Sequence, residues 1–299
     1  VHQDQAGWGD AVTEAAMRRD VRMMKEAGFD LIRGSHYPHA PAFSKACDEE
    51  GMLFWSEAPF WGIGGFQPDG YWNASAYPAS EKDYKGFEES ALQQLKEMIR
   101  IHRNHPSIVT WSMCNEAFFS TPEAIPGVRH LLERMVKLSR QLDPTRPAAI
   151  GGAQRPLGKD RIDLIGDIAG YNGDGATLSD FQQPAIPSVI SEYGSTTAER
   201  PGAYIPGWGD LKKNDGWKGL HWRSGQAIWC GFDHGSIAGS RLGKMGIVDY
   251  FRIPKRSWYW YRNEYARVAP PEWPQEGTPA QLIHATFEVG CGLVQQNLL

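Results

Sequence analysis

Short apolar runs alternate along this chain with longer segments whose apolar positions recur every three or four residues. The first pattern is that of a strand buried on both faces, the second that of a helix with one apolar stripe. Val1-His2 read as the end of a first strand. Strands follow at 29–33, 52–55, 108–113, 148–151, 164–171, 188–191 and 227–232. Helices are expected at 11–27, closed by Gly28, at 40–50, closed by Gly51, and at 84–102, 126–142, 214–223 and 257–265. The helix at 126–142 carries the clearest stripe, with Leu131, Leu132, Met135, Val136 and Leu138 apolar. Eight strand–helix units over about 265 residues predict an α/β fold, the TIM (β/α)8 barrel.

The barrel is expected to occupy residues 1–267, with its first strand largely missing. That would leave two unpaired parallel edges, so the isolated chain is expected to be poorly stable and weakly active. Beyond Arg267 the texture changes: Pro270, Pro271, Pro274, Gly277 and Pro279 read as a linker. Residues 268–299 are therefore expected to hold a linker and the beginning of a β-sandwich domain, opening at 282–289. A net charge of −4 without a basic stripe argues against nucleic acid as a partner. No window approaches the ~18 apolar residues of a membrane-spanning helix. Cys47, Cys114, Cys230 and Cys291 are widely spaced and read as buried free thiols, neither a disulfide frame nor a zinc site. No glycine-rich phosphate loop follows a strand, which weakens a nucleotide-binding reading.

Two of the strand-like runs end in an acidic residue, Ile108 to Glu116 and Pro187 to Glu192. In a barrel of parallel strands both carboxylates project from the C-terminal mouth, where such folds place their chemistry. Two carboxylates across a sugar-sized cleft are the machinery of glycoside hydrolysis. Twelve Trp, eleven Tyr and twelve Phe fit that reading, because sugars stack their C–H faces on rings, although most of these rings belong to the core. The long segment 57–80 is expected to wall the site through Phe60, Trp61, Tyr71 or Trp72.

The stretch Asp30 to Pro38, continuing through Cys47-Asp48 and Gly51 to Trp55, resembles the first signature of glycoside hydrolase family two. Arg103 to Glu116 resembles the second, which ends in Asn-Glu. Ser191 to Gly194 is similar to the family's nucleophile strand, and Trp229 to its eighth-strand tryptophan. Asp30, Gly34 and Thr110 depart from the usual pattern without removing a catalytic group. The resemblance implies Glu116 as acid/base and Glu192 as nucleophile. It implies Arg33 as the partner that orients the nucleophile, His36 and Asn115 as contacts to sugar hydroxyls, Tyr171 as a hydrogen-bond donor to the nucleophile, and Trp229 as the sugar platform. It also implies β-domains upstream in the parent chain.

Asp4, just past the first strand, is expected either to reach a sugar hydroxyl or to serve a loop or capping role. The Val1 to Gln5 start and the RGSHYPH stretch look most like β-galactosidase members. The family's glucuronidases carry an Asn-x-Lys motif, and none occurs in this chain. The expected activity is thus a retaining, exo-acting β-galactosidase working on oligosaccharide or polysaccharide-derived β-glycosides, with no cofactor and no metal. The alternatives are a β-mannosidase or β-glucuronidase of the same family, a non-catalytic carbohydrate-binding barrel, or a cysteine hydrolase using Cys114 with His102 or His105. Compartment is left open.

Overall fold

The computed structural model describes residues 1–62, 76–173, 178–194, 202, 222–235 and 243–273. Seven parallel strands stand side by side in chain order: β1 (Leu31–Arg33), β2 (Leu53–Glu57), β3 (Ile108–Asn115), β4 (Ala148–Gly151), β5 (Ile168–Asn172), β6 (Ser188–Gly194) and β7 (Arg223–Trp229). β1 and β7 also approach each other, so the sheet curls into a nearly closed barrel. Val1 lies at that closure, its carbonyl accepting the Ser35 N–H at 3.1 Å. A cleft lined by Val1, Leu31, Ile32, Gln226 and Ile228 lies between the two strands.

The helices cover the outside. They are α1 (Glu14–Glu26), α2 (Pro41–Glu50), α3 (Tyr84–His102), α4 (Ile125–Leu142) and α5 (Arg256–Ala266). Local chemistry sets their ends. The Thr13 hydroxyl accepts the Ala16 N–H at the start of α1, Pro41 opens α2, and Gly51 closes it at φ 64°. Along α4, Val128, Leu131, Leu132, Met135 and Val136 repeat at the helical period and all are buried against the sheet. Burying side chains of this size stabilises by about 1.5–3 kcal/mol each. β3 is buried on both faces along most of its length, which is why it reads as one continuous apolar run.

The strand–helix alternation is less regular than expected. Among the described residues, the β4–β5 link holds only a 3-10 turn at Gly158–Asp160 and the β5–β6 link one at Ser179–Phe181. The first link contains Gly152, Pro156, Gly158 and Gly166, which cannot supply an apolar helical stripe. The helix expected at 214–223 falls mostly outside the described residues, and its last residue opens β7 instead. β7 starts earlier than its apolar residues do because Arg223 and Gln226 are polar yet pair with β6. Cys47, Cys114 and Cys230 are buried free thiols, while Cys291, Tyr71, Trp72 and 274–299 lie outside the described residues.

Candidate active site

Because the strands are all parallel, their C-terminal ends share one mouth. Arg33 ends β1, Glu57 ends β2, Asn115 ends β3 with Glu116 next, Asn172 ends β5, Glu192 lies near the end of β6 and Trp229 ends β7. Asn172 is the register partner of Glu192. Glu116 stands at φ 49°, a left-handed backbone that costs a non-glycine residue of order 1–3 kcal/mol and is typical of functional turns. Gly152, at φ 56°, makes room for it: a Cβ there would lie 2.7 Å from the Glu116 Cγ and the Asn115 Oδ1.

Arg33 organises one side of the mouth. Its Nη1 donates to Glu192 Oε1 at 2.6 Å and to the Ser191 carbonyl at 3.2 Å. Its Nε and Nη2 grip Glu57 Oε2 at 3.1 and 2.8 Å, and Nη2 reaches Asn115 Oδ1 at 2.9 Å. Glu57 is 0% exposed. It also receives His36 Nδ1 at 2.7 Å, Trp55 Nε1 at 3.2 Å and Ser112 Oγ at 3.0 Å. Burial opposes the charge on Glu57, yet Arg33 and His36 outweigh it and hold its carboxyl below the usual range. The same balance holds Arg33 protonated: burial works against its charge, Glu57 and Glu192 more than offset it. A buried guanidinium between two carboxylates is a pre-aligned anchor, since its planar fork fixes both partners at once.

Glu116 is held differently. It is only partly exposed, and its Oε1 accepts Asn172 Nδ2 and Gln154 Nε2, each at 3.1 Å. Burial, followed by the negative charge of Glu192, pushes its pKa up to about 7, while the two amides and Arg33 pull the other way. A neutral carboxyl facing an ionised one is the pairing that acid-assisted displacement at a sugar requires. The raised value also carries a stability consequence. Ionising Glu116 costs more in the folded chain than in the unfolded one, so stability is full below the ordinary value of 4.5 and falls as pH rises through 7. Glu116→Gln is expected to unfold at higher temperature than the parent at pH 8, by up to roughly 3 kcal/mol, and to show no gain at pH 4. Calorimetry at the two pH values checks this, and equal midpoints at pH 8 would count against it.

An aromatic wall borders the carboxylates. His36 lies between Trp229, at 5.0 Å and 14° between planes, and Trp61, at 5.4 Å and 27°. His2 packs edge-on to Trp229 at 5.5 Å and stacks on His234 at 4.3 Å. Burial first, then the neighbouring His234 and His36, keeps His2 well below the usual histidine range, so it is a neutral donor or acceptor.

The structure places Arg33, His36, Asn115, Glu116, Glu192 and Trp229 at one mouth, and Trp61 with them. Three expectations change. Tyr171 does not reach Glu192: its hydroxyl donates to Asp163 Oδ2 at 2.8 Å and its ring packs on Phe181 in a separate core cluster. Phe60 is 2% exposed and packs on Phe87 in the core. Asp4 takes a loop role, its Oδ2 accepting the Gly235 N–H at 2.6 Å and so tying the chain start to the segment after β7. Among the described residues no activating base lies within hydrogen-bond reach of Cys114, which donates to the Gly151 carbonyl while burial raises its thiol; this argues against the cysteine-hydrolase alternative.

Sequence reading missed Glu57, Gln154, Asn172 and His2. Glu57 had the same signature as Glu116 and Glu192, an acidic residue closing an apolar run, Leu53 to Glu57. Asn172 directly follows Tyr171.

A seven-stranded parallel barrel with paired carboxylates, an arginine anchor and tryptophans at its C-terminal mouth defines the class of barrel proteins built around a sugar-type site. "Glycosyl hydrolases family 2, TIM barrel domain" matches residues 1–219, and the chain belongs to that family. It is 29% identical to a beta-glucuronidase of Bacteroides fragilis over 90% of its own length and 41% of that protein's. It is 26% identical to a beta-galactosidase of Thermoanaerobacter pseudethanolicus over 88% of its length and 33% of that protein's. The crystal structure of Bacteroides uniformis beta-glucuronidase superposes with a TM-score of 0.70 at 27% identity, covering 88% of this chain and 34% of that one. The chain thus spans less than half the length of these relatives.

Proposed function

We propose that this chain is the catalytic barrel of a retaining, exo-acting β-glycosidase. The observation that carries the reading is the unlike pair at the mouth: Glu192 ion-paired to buried Arg33, and Glu116 pushed up to about 7. Glu192 attacks the anomeric carbon as the glycosidic C–O bond breaks, and Glu116 gives its proton to the departing oxygen. The product is a glycosyl ester on Glu192. Esterification removes the Glu192 charge, so the repulsion that held the Glu116 proton falls and Glu116 becomes the base that deprotonates water. That water attacks the same carbon and releases Glu192, with net retention. Asn115 Oδ1 is occupied by Arg33 and Asn172, which leaves its Nδ2 for the sugar 2-hydroxyl. Trp229 and Trp61 offer the stacking faces, with His36 between them.

For the sugar, the first reading is a terminal β-galactoside. The chain has no Asn-x-Lys, and Arg33 is already saturated by Glu57 and Glu192, so neither is available for a sugar carboxylate. The second reading is a β-glucuronide, favoured by the 29% identical glucuronidase. Activated 2-deoxy-2-fluoro glycosides of the galacto, glucurono and manno series separate these. We expect the galacto reagent to leave its sugar on the peptide containing Glu192, read by peptide mass. Labelling by the glucurono or manno reagent alone would change the sugar and keep the mechanism. Folded protein labelled by none of the three would favour a non-catalytic sugar-binding barrel.

A further inference from the structure

Beside Asn172, Gln154, which follows β4, donates to the same oxygen of Glu116. We infer that Gln154 is a positioning residue for Glu116, and that with Asn172 it fixes the transferable proton of Glu116 on Oε2. This rests on the double-displacement reading given above.

Groups that can only donate fix the direction of each hydrogen bond in this network. The Asn172 backbone N–H donates to Gln154 Oε1 at 3.0 Å. The amide oxygen of Gln154 must therefore face Asn172, and its –NH2 end must face Glu116. The Asn172 side chain is fixed from Asn115: Arg33 can only donate, so the Asn115 oxygen faces it and must be met by the Asn172 –NH2. Asn172 Nδ2 is thereby turned to Asn115 Oδ1 at 2.9 Å and Glu116 Oε1. Its Oδ1 then accepts the Ser191 hydroxyl at 2.7 Å, and Ser191 Oγ accepts the Gly152 N–H at 3.2 Å. The orientations of these three amides are thus set by a backbone N–H or by the guanidinium.

Two N–H donors from opposite residues therefore converge on Glu116 Oε1. An oxygen already accepting two hydrogen bonds cannot also carry a proton without setting hydrogen against hydrogen, so the acid form holds its proton on Oε2. Gln154 is 3% exposed, so water does not readily replace it. The charged groups bearing on Glu116 are Glu192 from β6 and Arg33 from β1, with Glu57 and His36 bound to Arg33 behind it. Arg155, next to Gln154, lies over the Phe118 ring at 5.8 Å. The two amides are neutral at every working pH, so their effect on Glu116 is constant. They favour its ionised form and confine its rotation.

Q154M removes the donor at nearly constant size. Q154E keeps the oxygen that accepts the Asn172 N–H but replaces the donor with a second carboxylate oxygen, whose like charge adds to the lost hydrogen bond, so Q154M isolates the donor. The experiment measures kcat/KM against pH for phenyl and 2,4-dinitrophenyl β-glycosides of the sugar that labels Glu192. In parallel, the carboxyl carbon of Glu116 is titrated by 13C NMR in the wild type and both variants. In both variants we expect the alkaline limb and the NMR midpoint to move to higher pH. The phenyl substrate, whose leaving group needs the acid, should lose about tenfold more than the dinitrophenyl one, one order within the 10²–10⁴ span of general-acid catalysis. An unmoved limb and NMR midpoint, with both substrates losing equally, would make Gln154 merely structural and overturn the inference. If the wild type forms no adduct on Glu192, the double-displacement reading falls and this inference with it. An adduct together with unmoved profiles sinks the inference alone.

Discussion

Glu192→Gly is expected to lower turnover of aryl β-glycosides by roughly four orders of magnitude or more, the scale seen when an attacking group is deleted. The reason lies in the geometry. Glu192 Oε1 is fixed at 2.6 Å from Arg33 Nη1 and 3.5 Å from His36 Nε2, so no neighbouring carboxylate can take its place. Glu57, which shares Arg33 with it, is 0% exposed and fully engaged. A small anion such as azide, filling the space left by the side chain, should restore turnover and yield the α-glycosyl azide, since one displacement inverts. Glu116→Gly should behave in the opposite way: the loss is large for phenyl leaving groups and small for dinitrophenyl ones, and azide yields the β-product. Proton NMR of the anomeric centre distinguishes the two. Turnover of the Glu192 variant within tenfold of the parent would remove Glu192 from the chemistry.

Glu57→Leu is expected to cost roughly 3–5 kcal/mol of stability, the range for removing one partner of a buried ion pair. Arg33, 5% exposed, would keep only Glu192 as a counter-charge, and His36, Trp55 and Ser112 would each lose an acceptor. Activity should fall with it, because Arg33 and His36 hold Glu192 only while Glu57 holds them. Glu57→Gln keeps the shape and one acceptor oxygen and should cost less. Denaturant midpoints for both variants provide the measurement. A loss below about 1 kcal/mol for the leucine variant would mean that the pair is solvated, contrary to its burial.

Much of this arrangement was legible because a parallel barrel ties position in the sequence to position in space. A residue that closes an apolar run also closes a strand, and all strands close at one mouth. Glu116 and Glu192 could be picked out by that rule before any contact was known, whereas Arg33 and Trp229 came from the family resemblance. The family resemblance then supplied their roles. Glu57 satisfied the same rule and was passed over, although its run, Leu53 to Glu57, is as clear as the others.

Facing was not legible. Successive residues of a strand point to opposite sides, and a strand buried on both sides shows no polar–apolar alternation to tell them apart. Tyr171 and Asn172 are adjacent on β5. The first turns to Asp163 and Phe181, the second to the Asn115 and Glu116 side chains. A register irregularity falls between them, which no pattern in the run announces. Phe60 and Trp61 divide in the same way, one into the core and one onto His36. Gln154 lay beyond reach for a different reason: it stands in a glycine- and proline-rich link with no periodicity.

The sequence by itself determined the order of the strands, the helices that cover them and the carboxylates that end two of them, because each depends on neighbours a few residues away. Tertiary structure alone decided the pairings across the mouth. Arg33 and Glu192 are 159 residues apart, and Glu116 and Gln154 are 38. Their distances, and the raised pKa of Glu116 that follows from burial and the charge of Glu192, exist only once the sheet has curled round and brought these residues together.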